Sequence, residues 1–241
     1  MHHDKFLTGK IAIVTGGGRG IGKTIGLRLS RLGAETILAG TTAVNLEKAV
    51  AEIRAEGGKA RAIRCDVSKE EDVLHLFAET AKIGPLDILI NNAGIGRFAP
   101  LIDTSVQDWD LVQAINLRGA FLCGREAMKA MAGRGGRIIN IASVVGIKGY
   151  KDQAAYTASK HGLMGLSKVM SVEGQKDDII TQVIAPGGVD TDMAGVARPD
   201  LDRSTMITPD DIADAAQYLL GQTGNSIVDL IQVRRRGNQP W

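Results

Sequence analysis

The sequence predicts an α/β protein: a doubly wound, seven-stranded parallel sheet with helices on both faces, formed by residues 1–241 as a single domain. Three observations carry this expectation. Seven short β-rich runs alternate with helix-patterned segments, the 30 glycines gather at the ends of those runs rather than in a repeat, and no low-complexity linker divides the chain. Strands separated mostly by helices must be joined by crossovers, and right-handed crossovers cover a parallel sheet on both faces.

The opening is strand, turn, helix. Residues 11–15 are β-rich, 16–22 form a glycine-dense turn, and 24–32 carry helical periodicity that Gly33 stops. The unit then repeats: strand 36–39, helix near 45–56, strand 60–65, helix near 69–83 and strand 86–90. A long helical stretch runs from 109 to about 131 and is followed by strand 137–141, a helix from about 153 to 172 and strand 179–184. A helix at 209–220 and a last strand near 227–233 complete the series. The one long irregular connection, a substrate loop of about 188–208, follows the sixth strand. Ligands of such sheets sit beyond the carboxyl ends of the strands, so this loop belongs over the site.

Composition excludes several classes. Hydrophobic residues are 44% and charged residues 23%, ordinary for a packed domain. A net charge of +2 and 4% aromatics argue against a nucleic-acid partner, and the one basic run, Arg234-Arg235-Arg236, reads as a solvated tail or a subunit contact. Two cysteines, Cys65 and Cys123, cannot form a disulfide framework and read as buried small hydrophobes. The histidines lack ligand spacing, so no metal is expected. Residues 1–10 are polar, without the apolar centre of a signal peptide, and no run nears the roughly 18 apolar residues of a membrane span. A cytoplasmic protein with no membrane partner is therefore expected.

The turn Thr15-Gly16-Gly17-Gly18-Arg19-Gly20-Ile21-Gly22 lies between the first strand and first helix. Glycines at 16, 20 and 22 let a backbone approach a pyrophosphate, while a helix N-terminus offers free N–H groups and a positive dipole. A nucleotide site is expected there, with Gly18 and Ile21 in its wall. The second strand ends in Gly40-Thr41-Thr42, with no acid to bind a ribose 2′-hydroxyl. Arg19 and Thr41 can instead hold a 2′-phosphate, which favours NADP(H) over NAD(H); Arg19 can equally be a solvated surface residue. Asp66-Val67 follows the third strand, where the carboxylate can accept from an adenine amino group, or Ser68 can cap the next helix. Asn91-Asn92-Ala93-Gly94 closes the fourth strand and suits a tight passage beside a ribose, or is a plain turn.

Tyr156 and Lys160 are four apart on a helix and share a face. A nearby ammonium lowers the phenol from its ordinary value of about 10 and brings proton transfer within reach. Such pairs also arise by chance. Ser143, just past the fifth strand, is placed to hydrogen-bond a substrate oxygen beside Tyr156. Asn116 sits inside the long helix, an unfavourable place that a kink with its side chain holding a water against Lys160 would explain; a backbone-satisfied Asn is the alternative.

Taken together, Thr15-Gly16-x-x-x-Gly20-x-Gly22, Asn91-Asn92-Ala93-Gly94, Asn116, Ser143, Tyr156-x-x-x-Lys160 and Pro186-Gly187 resemble the classical short-chain dehydrogenase/reductase family, in order and spacing from residue 15 to residue 191. The resemblance implies a Rossmann fold and a catalytic tetrad of Asn116, Ser143, Tyr156 and Lys160. It implies that Tyr156 and Lys160 also face the cofactor ribose, and that Pro186, Gly187, Val189 and Thr191 contact the nicotinamide. Arg19 and Thr41 match the NADP-preferring, 3-oxoacyl-carrier-protein-reductase-like branch. The expected function is reduction of a ketone or 3-oxoacyl-type carbonyl. The alternatives are an NAD-dependent dehydrogenase of a polyol, sugar or hydroxysteroid, and a non-catalytic dinucleotide-binding protein. Met193, Val196 and Met206, opposite Val145 and Tyr150, suggest an apolar substrate, though each can equally pack against the protein. The family's usual C-terminal ending is absent, which argues against a standard acyl-carrier-protein reductase; a homodimer or homotetramer through the two long helices is expected.

Overall fold

The computed structural model describes residues 5–197 and 202–238. Its strands are β1 (Ile11–Thr15), β2 (Glu35–Gly40), β3 (Lys59–Arg64), β4 (Ile88–Asn91), β5 (Gly136–Ile141), β6 (Ile179–Pro186) and β7 (Leu230–Val233). They form one parallel sheet in the order β3-β2-β1-β4-β5-β6-β7. The order reverses between β1 and β4, and the crevice at that reversal is where such sheets receive ligands. The helices are α1 (Gly20–Arg31), α2 (Ala43–Ala55), α3 (Glu70–Ala81), α4 (Val106–Gln113), α5 (Gly119–Met131), α6 (Ala154–Gly174), α7 (Asp192–Ala197) and α8 (Pro209–Leu220).

Alternation along each strand divides the core in two. In β1, Ala12 and Val14 join one cluster with Ile25 and Leu29 of α1 and Ile212 and Leu219 of α8. Ile11 and Ile13 join another with Val73 and Leu76 of α3 and Cys123 and Met131 of α5. All five residues of β1 are buried, as a central parallel strand covered on both faces requires. Each fully buried Leu or Ile contributes roughly 1.5–3 kcal/mol. Burial also pushes the Cys65 thiol up to about 12, which keeps it unreactive.

Several boundaries differ from those expected. α1 begins at Gly20, not residue 24, because the glycines that lower helix propensity form the tight entry that the turn needs. β4 starts at Ile88 rather than 86, since the Asp87 carboxylate is taken by Ile11 N at 2.9 Å and Lys10 Nζ at 3.0 Å. The long helix starts earlier, at Val106, where Ser105 accepts from Asp108 N, and its middle, Ala114–Arg118, is a π turn. β7 starts only at Leu230 because Gln182 of β6 reaches across to the Val228 carbonyl at 2.8 Å. The connection expected to be irregular holds α7 and a 3-10 turn, Arg203–Thr205.

α1 and α8 pack side by side and are clamped by Arg28, which bonds Asp214, Asp210 at 3.3 Å and Gln217 at 3.0 Å. The guanidinium side chain is mostly buried and its two carboxylate partners largely exposed. Replacing Arg28 with Met is expected to lower stability by about 1–2 kcal/mol, the worth of charged hydrogen bonds reduced by solvent screening. Urea denaturation checks this, and an unchanged midpoint contradicts it.

Candidate active site

A cavity of about 660 Å³ opens at the β1/β4 reversal. Every residue singled out for cofactor or chemistry lines it except Gly22 and Asn116, which stand directly behind its wall. Cys65, Phe98, Arg203, Arg235 and Asn238 also line it. Sequence reasoning named none of these five for the site, although Arg203 lies in the loop of about 188–208 expected over it.

The glycine turn is held by two side chains at strand ends. Thr15 Oγ1, buried at the end of β1, accepts from Asn92 N and Ala93 N at 3.0 Å each and donates to Ile90 O. Asn92 Nδ2 donates back to Thr15 O at 2.9 Å and Gly16 O at 3.3 Å. Gly16 takes φ +65°, and a Cβ on Gly22 would stand 2.4 Å from both Gly16 O and Asn92 Nδ2. Only a bare backbone fits this cradle. Among the described residues no side chain caps the start of α1 and its first turn holds no acid, so its N–H groups and positive dipole face the cavity. A cradle that a Cβ would fill, beside an uncapped helix start, fits the pyrophosphate of a dinucleotide.

β2 ends without a carboxylate, and Thr41 and Thr42 are exposed beyond it. Arg19 lies on the cavity rim but is paired with Asp192 of α7 at 2.9 Å, the two side chains 71% and 74% exposed. Ser68 is not the cap of α3, which starts behind Lys69 with no side-chain cap. Instead, Asp66 Oδ1 accepts from Ser68 N at 3.0 Å and Ser68 Oγ at 2.7 Å. That short turn fixes the carboxylate at the cavity edge, and Val67 is buried beside it.

Ser143 follows β5 and Tyr156 and Lys160 project from α6, so one strand end and one helix face bring the three together. The Ser143 hydroxyl donates to Pro186 O at 3.3 Å and accepts from Val145 N at 3.3 Å. Burial raises the Tyr156 phenol above its ordinary value, the opposite direction to the lowering expected from the ammonium. Lys160 Nζ donates to Ile141 O at 2.8 Å and lies 5.7 Å from the centre of the Tyr156 ring. Lys160 is itself 4% exposed, and burial pulls its ammonium down to about 8. Phe98 meets the Tyr156 ring edge-on at 6.0 Å.

The Asn116 side chain is satisfied by protein groups. It is 1% exposed, accepts from Ile95 N at 2.8 Å, and donates to Ile95 O at 2.9 Å and Ser159 Oγ at 3.1 Å. Ser159 Oγ in turn donates to Tyr156 O at 2.7 Å. The π turn, in which Gly119 N bonds Ala114 O, accommodates the extra residue that brings this amide to the loop after β4. Asn116 is thus a clamp joining that loop to α6.

On the far side, Val145, Tyr150, Met193 and Met206 line the cavity as expected, while the Val196 side chain lies outside those described. The wall is not simply apolar. Asp190 pairs with Arg203 at 2.5 Å, and Arg235 stands beside Gly188. Among the described residues no His, Cys, Asp or Glu group is arranged for a metal, and no helix is long and apolar enough to cross a membrane.

A family model for short chain dehydrogenases matches residues 10–202. The chain is 36% identical to a 3-oxoacyl-[acyl-carrier-protein] reductase of Synechocystis, over 91% of this chain and 96% of the relative. It is 38% identical to a 3beta-hydroxysteroid dehydrogenase of Mediterraneibacter gnavus, over 80% of this chain and 70% of the relative. An alcohol dehydrogenase structure from Thermococcus sibiricus, complexed with 5-hydroxy-NADP, superposes with a TM-score of 0.89 at 27% identity, covering 96% of this chain and 99% of that one.

Lys160 has a lowered value in the fold, so between about 8 and the ordinary 10.5 the unfolded chain binds the extra proton. The burial penalty on its ammonium is therefore full below about pH 8 and is relieved as pH rises through that window. Nuclear magnetic resonance of ¹³C-lysine-labelled protein is expected to show one lysine, lost in Lys160→Met, titrating near 8. A midpoint above 10 for that signal contradicts the burial account.

Proposed function

The chain belongs to the short-chain dehydrogenase family, in its 3-oxoacyl-carrier-protein-reductase-like branch, and on that premise we propose that it is an NADP(H)-dependent reductase of a ketone or 3-oxoacyl-type carbonyl. That it is an NAD(P)-dependent oxidoreductase follows from the family. The finer reading rests on one observation above all: Ser143, Tyr156 and Lys160 line the same cavity as the glycine cradle. We place the substrate site within the same domain as the dinucleotide site.

The choice of NADP(H) is supported by Arg19 and Thr41 at the cavity rim and by the missing acid after β2. Asp192 holds Arg19 in this structure, but so exposed an ion pair contributes only about 0–1 kcal/mol. A 2′-phosphate carries more charge and presents three acceptor oxygens to the guanidinium, so exchange of partner costs little. The cradle of Gly16, Gly18, Gly20, Ile21 and Gly22 would hold the pyrophosphate, with Asp66, Val67, Asn92, Ala93 and Gly94 around the adenosine. Pro186, Gly187, Val189 and Thr191 would flank the nicotinamide.

A bound, reduced nicotinamide supplies the hydride that the carbonyl carbon accepts. The residues of the chain manage the oxygen. Ser143 Oγ and Tyr156 Oη donate hydrogen bonds to the oxygen as negative charge develops on it, and they are more effective in a cavity than in water. Tyr156 Oη then gives up its proton to that oxygen. Lys160, carried one turn further along α6, donates to Ile141 O here; turned from that carbonyl toward the phenol, its positive charge would favour the phenolate left behind. Asn116 is a positioning residue, acting through Ile95 and Ser159. Exposed Phe121 on α5 and Val169 and Val172 on α6 support pairing of subunits through these two helices.

Tyr156→Phe keeps the ring and removes the acid. Turnover of any ketone substrate is expected to fall by about two to four orders of magnitude while cofactor is still bound. Steady-state rates with a parallel cofactor titration check it; turnover near that of the unaltered protein sinks the proposed role.

A further inference from the structure

The run Arg234-Arg235-Arg236 reads in the sequence as a solvated tail, yet Arg235 lines the cavity that holds Ser143 and Tyr156. Its position follows from strand pairing. Pro186 of β6 lies opposite Val233 of β7, and Gly187 N donates to Val233 O at 2.8 Å. Arg235, two residues further on, therefore arrives over Gly187 and Gly188 at the carboxyl edge of the sheet. A Cβ on Gly188 would stand 3.9 Å from Arg235 Cδ.

The tail does not trail away from that point. Asn238 N bonds Arg235 O at 3.0 Å, closing a turn. Arg234 Nη1 donates to the carbonyls of Arg235, Arg236 and Asn238. Arg235 Nη2 donates to Asn238 Oδ1 at 2.6 Å, so the guanidinium is steadied before any ligand arrives.

Charge pairing sets Arg235 apart. Among the described residues the other two guanidinium groups on the cavity wall are matched, Arg19 by Asp192 and Arg203 by Asp190. Among the described residues Arg235 has no carboxylate partner; its side chain bonds one neutral amide and keeps most of its five N–H donors for a ligand. A half-buried, steadied guanidinium with its fork free is suited to bidentate capture of a carboxylate.

We propose that Arg235, held by Asn238, selects the substrate: the cavity takes a small oxo acid whose carboxylate docks on Arg235 while its ketone oxygen meets Ser143 and Tyr156. The inference rests on the reductase reading and names its substrate class. It replaces the apolar substrate expected from Met193 and Met206, whose side chains line the same cavity.

The test is calorimetric titration of the enzyme saturated with NADP⁺, using straight-chain oxo acids of graded length, each beside its neutral methyl ester. The best acid is expected to bind about ten- to a hundredfold more tightly than its ester. R235Q is expected to erase that difference, R235K to keep part of it, and R236Q, which removes an equal charge outside the cavity, to leave it intact. Equal binding of acid and ester by the unaltered enzyme overturns the proposal, as does equal weakening of both by R235Q. Weaker binding of NADP⁺ by R235Q, with the acid preference kept, also overturns it and assigns Arg235 to the cofactor. The reductase reading fails separately: an acid that binds through Arg235 but is never reduced with NADPH leaves this inference standing and that reading refuted.

Discussion

The site depends on the clasp between the ends of β1 and β4. Thr15 Oγ1 and the Asn92 amide exchange bonds across the sheet reversal and fix the path of the glycine turn and the start of α1. The same Asn92 nitrogen and Gly16 carbonyl exclude any side chain at Gly22. A buried polar group left without its partner costs about 1–3 kcal/mol, so this arrangement holds as a unit. The chain of contacts continues from the loop after β4 through Ile95, Asn116 and Ser159 to the Tyr156 carbonyl. The glycine cradle and the Tyr156 backbone are thereby positioned by one connected framework.

Much of this was legible in the sequence, for identifiable reasons. Helix α8 falls at its expected bounds because Thr208 and Asp211 form a capping box around Pro209, a strong local start signal. The order and kind of the seven strands follow from apolar runs that a buried parallel sheet demands. The cradle was legible because glycine at fixed spacing has few other uses. Boundaries were lost where a distant side chain decides them, as Gln182 does for β7 and Asp87 for β4.

Within the site, spacing identifies which residues share a face but not what each touches. Four residues on a helix place Tyr156 and Lys160 together; nothing in that spacing shows that Lys160 turns to the Ile141 carbonyl. Asn116 stood out because asparagine is costly inside a helix. That its side chain clamps Ile95 depends on the π turn and on β4, both remote in the pattern. Arg235 gave no local signal, since its place is set by the register of β7 on β6.

The cofactor and the reaction are tested together by initial rates of NADPH and NADH oxidation with one panel of simple ketones, diketones, oxo acids, a ketosteroid and a 3-oxoacyl thioester. The account predicts carbonyl-dependent oxidation that is faster with NADPH, through phosphate recognition by Arg19 and Thr41. Consistently faster oxidation of NADH would contradict it and favour an NAD-dependent secondary-alcohol dehydrogenase.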